Sequence, residues 1–257
     1  MSSTLPSRAL AIAEYRLRPL RRALAPHRRN RNTRTLGPVN VHGHHVVLRP
    51  PRMADAAEWS ALRMRDRAIL EPFWVTSELS WERQHSEHEW IGHIIRMRID
   101  ERSGTGIYFA LSVDGQFSGQ CDLLHIDTAA RTAEIGLWMS SELAHEGIAS
   151  DTATLFLDFV FGELGIRRLA AAICVDNVPA RHLALRAGLE YEGTMADYLD
   201  VGGRRRDHDL WAITEPMWRA DHDLRASTPA DIADGPAHGG YRTSSAMESN
   251  DLLPESI

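Results

Sequence analysis

Ser141-Glu142-Leu143-Ala144-His145-Glu146-Gly147-Ile148-Ala149-Ser150 is the stretch whose reading decides the fold. Before it, Thr132 to Met139 alternates like a strand, with Ala133, Ile135, Leu137 and Met139 on one face and Glu134, Gly136 and Trp138 on the other. After it, Ser150 to Leu164 repeats like a helix, with Leu155, Phe156, Phe159 and Val160 on one stripe. A small-residue turn from strand into helix aims backbone N–H groups at one point, with the positive end of the helix dipole behind them. That is an anion site, and it implies a phosphorylated cofactor at Ala144, His145, Glu146, Gly147, Ile148, Ala149 and Ser150.

The flanking pattern extends this into a mixed α+β domain. Ile107, Phe109, Leu111 and Val113 share a strand face, Asp114-Gly115 follows as a hairpin turn, and the return strand sets Phe117, Gly119, Cys121 and Leu123 on one side. Val46 to Arg49 reads as a short strand, and 54–67 and 81–102 read as helices. Leu169, Ala171, Ile173 and Val175 mark another strand. Pro179 opens a short helix that Gly188 closes, and two last strands flank Gly202-Gly203. The order is antiparallel hairpins, then a β-α-β crossover.

Composition removes several classes of chemistry. In 257 residues the 29 basic side chains counted as Lys+Arg are all arginine, which excludes a Schiff-base or P-loop lysine. No apolar run reaches the ~20 residues of a membrane span. Cys121 and Cys174 fall within strands and read as buried free thiols of a reducing, cytoplasmic setting. No metal-ligand spacing appears, and His42-Gly43-His44-His45 reads as loop, so no metal is expected.

Charge divides the chain in three. Residues 1–43 hold nine Arg and one acid, Glu14. They read as an extension, an RNA- or surface-binding arm, or a targeting segment, with a basic helix from Ala9 to Leu24. Residues 44–218 hold 27 acids against 17 Arg and form the domain. Residues 219–257 are acidic, aperiodic and read as a disordered tail.

Three further stretches carry a resemblance. They are Glu134-Ile135-Gly136-Leu137-Trp138; Asp176-Asn177-Val178-Pro179-Ala180-Arg181 followed by Ala187-Gly188-Leu189-Glu190-Tyr191-Glu192-Gly193; and Arg206-Asp207-His208. With the anion turn, they resemble the GNAT acyltransferase superfamily over about residues 44–216, and within it the ribosomal-protein-alanine N-acetyltransferase (Rim) branch. The resemblance implies acetyl-CoA as co-substrate and a mostly antiparallel sheet in which the strand at 132–139 splays from the one at 168–175. The acyl-pantetheine arm would lie in that gap, against backbone from Trp138 through Met139 to Ser140, with the Met139 N–H as a candidate oxyanion donor.

The family's cofactor loop reads Q/R-x-x-G-x-G/A. Gly147 and Ala149 fill its last positions, and Ala144 departs from the first. Asn177 matches an asparagine near the pantetheine and equally suits a helix N-cap. His182 is counted with the cofactor contacts. The position seven residues after Asn177, a tyrosine acid in many members, is Ala184. That leaves Ser140, Ser141, His182 or water as the acid.

Acyl transfer to an amine needs the neutral amine, and an α-amino group with a reference pKa of about 7.7–8.0 needs only a modest base. Glu134, acting through a water, is the first candidate, with a solvent-facing carboxylate as the alternative. Glu71 is the second, in Leu70-Glu71-Pro72-Phe73-Trp74, which looks like the branch's substrate-side loop. Phe73 is a candidate for the acceptor side, and Trp74, Trp81 and Trp138 are candidates to wall the acceptor pocket, with core the commoner place for such aromatics.

The acidic domain favours a cationic acceptor. A basic peptide or ribosomal-protein N-terminus fits, as does a small cationic amine such as a polyamine or antibiotic, or a lysine. A CoA-holding module without turnover is the other class. The Arg-rich arm would touch ribosomal RNA. No membrane partner is expected, and monomer and homodimer stay open.

Overall fold

The computed structural model describes residues 34–227. An eight-stranded sheet runs β1 (Leu36–Val41), β2 (His44–Arg49), β3 (Ile107–Val113), β4 (Gln116–Asp127), β5 (Thr132–Met139), β6 (Arg168–Cys174), β7 (Glu190–Val201) and β8 (Arg204–Thr214), in the spatial order β1-β2-β3-β4-β5-β6-β8-β7. Every neighbouring pair is antiparallel except β5–β6. Seven helices accompany it among the described residues: α1 (Ala56–Arg65), α2 (Arg67–Leu70), α3 (Trp81–Gln84), α4 (Glu87–Ser103), α5 (Ile148–Leu157), α6 (Val178–Arg186) and α7 (Glu215–Ser227).

Strand alternation sorts the core into two layers. Ile107, Phe109, Leu111, Cys121 and Leu123 face α5 and the π-helical turn Asp158–Glu163 that continues it. Phe109 lies edge-on to Phe156 and Phe159, with ring centroids 6.1 and 5.6 Å apart. Removing a ring buried in this way costs about 3–5 kcal/mol. On the opposite face Tyr108, Ala110 and Phe117 pack with Trp59 of α1 and Trp90, Ile94 and Met97 of α4.

Phe117 therefore departs from the sequence expectation, which set it beside Cys121 and Leu123. The β3–β4 register slips between Leu111 and Ser112, and a bulge reverses the facing of everything before Gly119. At Gly119 the two strands nearly touch. A Cβ there would lie 2.3 Å from the Trp138 carbonyl oxygen, so only glycine fits.

Three boundaries also differ from expectation. β1 belongs to the sheet although it lies within the segment read as an extension. α7 passes residue 218, and Trp218 stacks on Phe161 with centroids 5.6 Å apart. The helix expected over 81–102 is two, because Ser80 and Ser86 each cap a new start. The Ala9–Leu24 helix, and the tail beyond residue 227, lie outside the described residues.

The feature that positions the site is the junction of β5 and β6. They pair only at Thr132–Arg168, Ala133–Leu169 and Glu134–Ala170. β6 then stays with β8 as far as Cys174–His208, while β5 stays with β4 as far as Met139–Gly119. The sheet splits from Ile135 and Ala171 onward into a fork whose inner backbone edges have no strand partner among the described residues.

Candidate active site

At the mouth of the fork the chain leaves β5 through a 3₁₀ turn (Ser141–Leu143) and enters α5 through a loop. Two residues there take the left-handed conformation, His145 (φ +68°) and Gly147 (φ +76°). Gly147 is the N-cap, and its carbonyl accepts from the Ser150 and Asp151 amides at 2.9 and 3.2 Å. The amides from His145 to Ala149 have no partner among the described residues. Open N–H groups, a glycine cap and the dipole of a ten-residue helix suit the diphosphate of coenzyme A.

Side chains around the turn adjust its charge. His44 contacts Asp114 at 2.6 Å and Glu146 at 3.5 Å. Its hydrogen bond to Asp114 raises its pKa above the usual histidine value, so Glu146 has a cationic neighbour when His44 is protonated. Against Gly147 rests the His42 ring, 3.3 Å from where a Cβ would stand. Arg186 of α6 donates to Ser150 Oγ at 3.2 Å. The β1–β2 turn and α6 thus frame the loop; the sequence pointed to α6 through Asn177 and His182, but not to the turn.

Ser140, at the tip of β5, is 4% exposed. Its Oγ accepts from Arg65 Nη2 at 2.5 Å and from the Glu142 amide at 3.3 Å. Next to it Asp66 accepts from the Ser141 amide (2.9 Å), Ser141 Oγ (2.8 Å) and Arg65 Nε (2.9 Å). Burial pushes the Asp66 carboxyl upward, but Arg65 and the two Ser141 bonds outweigh it and hold its pKa below the usual range. This latch ties the end of α1 to the end of β5. No sequence spacing announced it, because its halves lie 75 residues apart.

Asn177 caps α6, its Oδ1 accepting from the Ala180 amide at 3.2 Å. His182 is exposed on the same helix. Ala184 is buried in the core at 6% exposure, so no acid occupies that position. Glu134 stands at the last paired register of the fork with its side chain 42% exposed, and His125 Nδ1 lies 3.1 Å from Glu134 Oε2.

The α1/α4 side of the sheet is closed by residues 71–76. The Trp74 carbonyl accepts from the Gly202 amide (3.0 Å), Thr76 bonds Asp200, and Val75 bridges Val201. Gly202 has φ +59°, and a Cβ there would meet the Pro72 oxygen at 2.6 Å. A cleft of about 510 Å³ opens here, lined by Ala68, Glu71, Pro72, Gly202, Arg204 and Arg206, and none of the anion-turn residues reaches it. Glu71 is held by Arg67 at 2.7 Å, and Phe73 lies 5.7 Å from the Arg206 guanidinium.

The tryptophans do something the sequence did not suggest. Trp74 and Trp138 sandwich the guanidinium of Arg63 at 3.7 and 3.6 Å, and Arg63 is 1% exposed. Trp59 and Trp138 both donate to Gln120 Oε1 at 3.1 Å. Trp81 is also 1% exposed, with its Nε1 bonded to the Arg63 carbonyl at 2.9 Å, so it backs the cage rather than walling a pocket. His85 beside it is pushed down to about 4, first by burial and then by Arg63, and is neutral near pH 7.

A sheet forked between two parallel strands, with a glycine-capped helix at its mouth, defines a CoA-dependent acyltransferase architecture. The acetyltransferase (GNAT) domain family matches residues 45–190, and the chain belongs to that family and is an acyltransferase that uses acetyl-CoA. Mycobacterium smegmatis RimJ, solved in complex with CoA-disulfide, aligns with a TM-score of 0.71 and 34% identity, covering 76% of this chain and 94% of that one. The probable N-acetyltransferase YjcK of Bacillus subtilis is 26% identical over 178 residues, 68% of this chain and 97% of its own length. Spermidine N(1)-acetyltransferase of Escherichia coli is 26% identical over 120 residues, 47% of this chain and 64% of its own. Among the described residues there is no cluster suited to a metal ion, and no helix is long and apolar enough to cross a membrane.

Proposed function

We propose that this acetyltransferase modifies the N-terminal α-amino group of a basic protein, with ribosomal proteins as the acceptor class and the cytoplasm as its setting. The observation that carries the reading is the 34% identity to RimJ over nearly all of that chain. The excess of acids over arginines within residues 44–218 supports a cationic acceptor. The amine enters from the α1/α4 side, between the fork and the cleft bounded by Glu71. Its proton passes to a carboxylate on that face, for which Glu134 at the vertex is one candidate. Main-chain amides at 145–149 hold the cofactor diphosphate. The arginines of residues 1–33, outside the described residues, bring the enzyme to RNA.

The spermidine acetyltransferase relative favours a polyamine as the second reading. Thiol release from acetyl-CoA with Ala- or Ser-terminated basic peptides, Nα-blocked lysine peptides and spermidine separates the two. The α-amine peptides are expected to react at least about tenfold faster than the others, because their amines are far closer to neutral at pH 7. Faster spermidine turnover would replace the first reading with the second.

A further inference from the structure

Asp122 of β4 lies between Tyr108 of β3 and Gly136 of β5, on the sheet face that carries Trp138 and packs on α1 and α4. Its Oδ1 is sealed from solvent without a hydrogen-bond partner among the described residues. Across the same space, Nε and Nη1 of Arg63 are sealed and equally unpartnered. Among the described residues no ion pair joins the Asp122 carboxyl to the Arg63 guanidinium. A sealed polar atom without a hydrogen bond costs stability, and Asp122 Oδ1 and the Arg63 nitrogens are such atoms beside the fork. Gly136 is the first residue on this face beyond the β5–β6 pairing, and a Cβ there would meet only Leu124 Cδ1, at 3.8 Å. No side chain on β5 therefore stands between Asp122 and the gap.

We propose that Asp122 is the group that takes the proton from the acceptor amine, with Arg63 as its fixed counter-charge in the tryptophan sandwich. This rests on the acetyltransferase reading above and names the proton acceptor within it. An ammonium that becomes an amide loses two protons. One goes to Asp122 and from there to solvent, and the nitrogen lone pair forms the N–C bond. The C–S bond breaks with its electron pair on sulfur, which takes the second proton.

The local electrostatics agree. Burial pushes the Asp122 carboxyl up to about 8, with Glu101 of α4 adding to the rise and the Phe109 amide and Arg63 opposing it. An α-amino group, at about 7.7–8.0, exchanges a proton with such a carboxyl at nearly even energy, whereas a lysine near 10.4 gives one up roughly a hundredfold less readily. Of the other groups on this face, His85 and His93 are both held down to about 4, mainly by burial. The Tyr108 hydroxyl is pushed upward by burial and by its bond to Asp100. Glu134 lies two residues before Gly136 on β5, opposite Leu124.

The test compares the full chain with Asp122→Asn and Glu134→Gln, using acetyl-CoA and an Ala-terminated basic peptide. Asparagine is nearly isosteric with the protonated carboxyl, so folding and acetyl-CoA affinity by calorimetry are expected to stay within about twofold. We expect kcat/KM to fall at least about a hundredfold in Asp122→Asn and by a smaller factor in Glu134→Gln. Carboxyl carbon NMR without cofactor should show a group titrating near pH 8 that is missing from Asp122→Asn. Rates within threefold of the parent in Asp122→Asn, a larger loss in Glu134→Gln, or no carboxyl titrating above pH 6 would overturn the assignment. A parent chain that releases no thiol with any amine overturns this and the acceptor reading together. If spermidine is the acceptor and Asp122→Asn still removes the rate, the role of Asp122 stands and the α-amine reading falls.

Discussion

The two sides of the fork are built from different materials. The proposed cofactor side is main chain: five successive open amides, a left-handed glycine and a helix start, all within residues 144–150. The proposed acceptor side is side chain: Arg63, Trp74, Gln120, Asp122 and Trp138, drawn from α1, the 71–76 segment and two strands. A main-chain site tolerates drift in side chains, provided the backbone can still take its shape. Ala144 in place of the family's Gln or Arg is such a drift. A side-chain site has no such tolerance, and on the proposed reading it is where one acceptor would be told from another.

The contrast is broken most directly at Gly147. Aspartate there is expected to weaken acetyl-CoA binding about a hundredfold by calorimetry, since it sets a charge against the diphosphate and a Cβ against His42 in a left-handed backbone. Binding unchanged by Gly147→Asp would mean that the loop is not the anion site.

A smaller effect is expected at the latch. Asp66→Asn should cost about 2 kcal/mol in urea unfolding at neutral pH, as a buried carboxylate loses its charge-assisted bonds. The folded pKa of Asp66 lies below its unfolded value, so this contribution is complete above about pH 4 and disappears as pH falls through the folded value. Parent and variant should therefore differ by a constant amount from pH 5 to 8 and converge on acidification. A difference that persists in acid would assign the effect to packing instead.

The smallest effect concerns His44. Its pKa is raised, so its charge is present at low pH and is lost as pH climbs through that value. Coenzyme A affinity should fall about threefold between pH 6 and 8 and become flat in His44→Ala. A slope that survives the substitution would move the pH dependence to another group.

Legibility in the sequence followed the same division. Periodicity placed the strands at 107–113 and 132–139 and the hairpin at Asp114-Gly115, because one buried face imposes a period of two. The anion turn was readable because it is local, with its glycine and its helix start adjacent. The bulge that turned Phe117 to the other face was not, since the register is set by the partner strand. The tryptophans at 74 and 138 read as a pocket wall or as core; they enclose an arginine, and nothing in the spacing of 63, 74 and 138 foretells that they meet. Asp122 sits in an ordinary strand pattern and becomes notable only once its neighbours are known to seal its Oδ1.

The 71–76 segment carries one more consequence. The halves of the sheet share only three registers between β5 and β6, which would leave the fork free to flex about a narrow hinge. Residues from Arg65 to Thr76 run across that hinge like a bowstring, fastened to the tip of β5 through Ser140 and Ser141 and to the far half through Asp200, Val201 and Gly202. The spacing of the two halves is thus fixed from the opposite face, and on the proposed reading the segment that fixes the cofactor's slot also seats the acceptor.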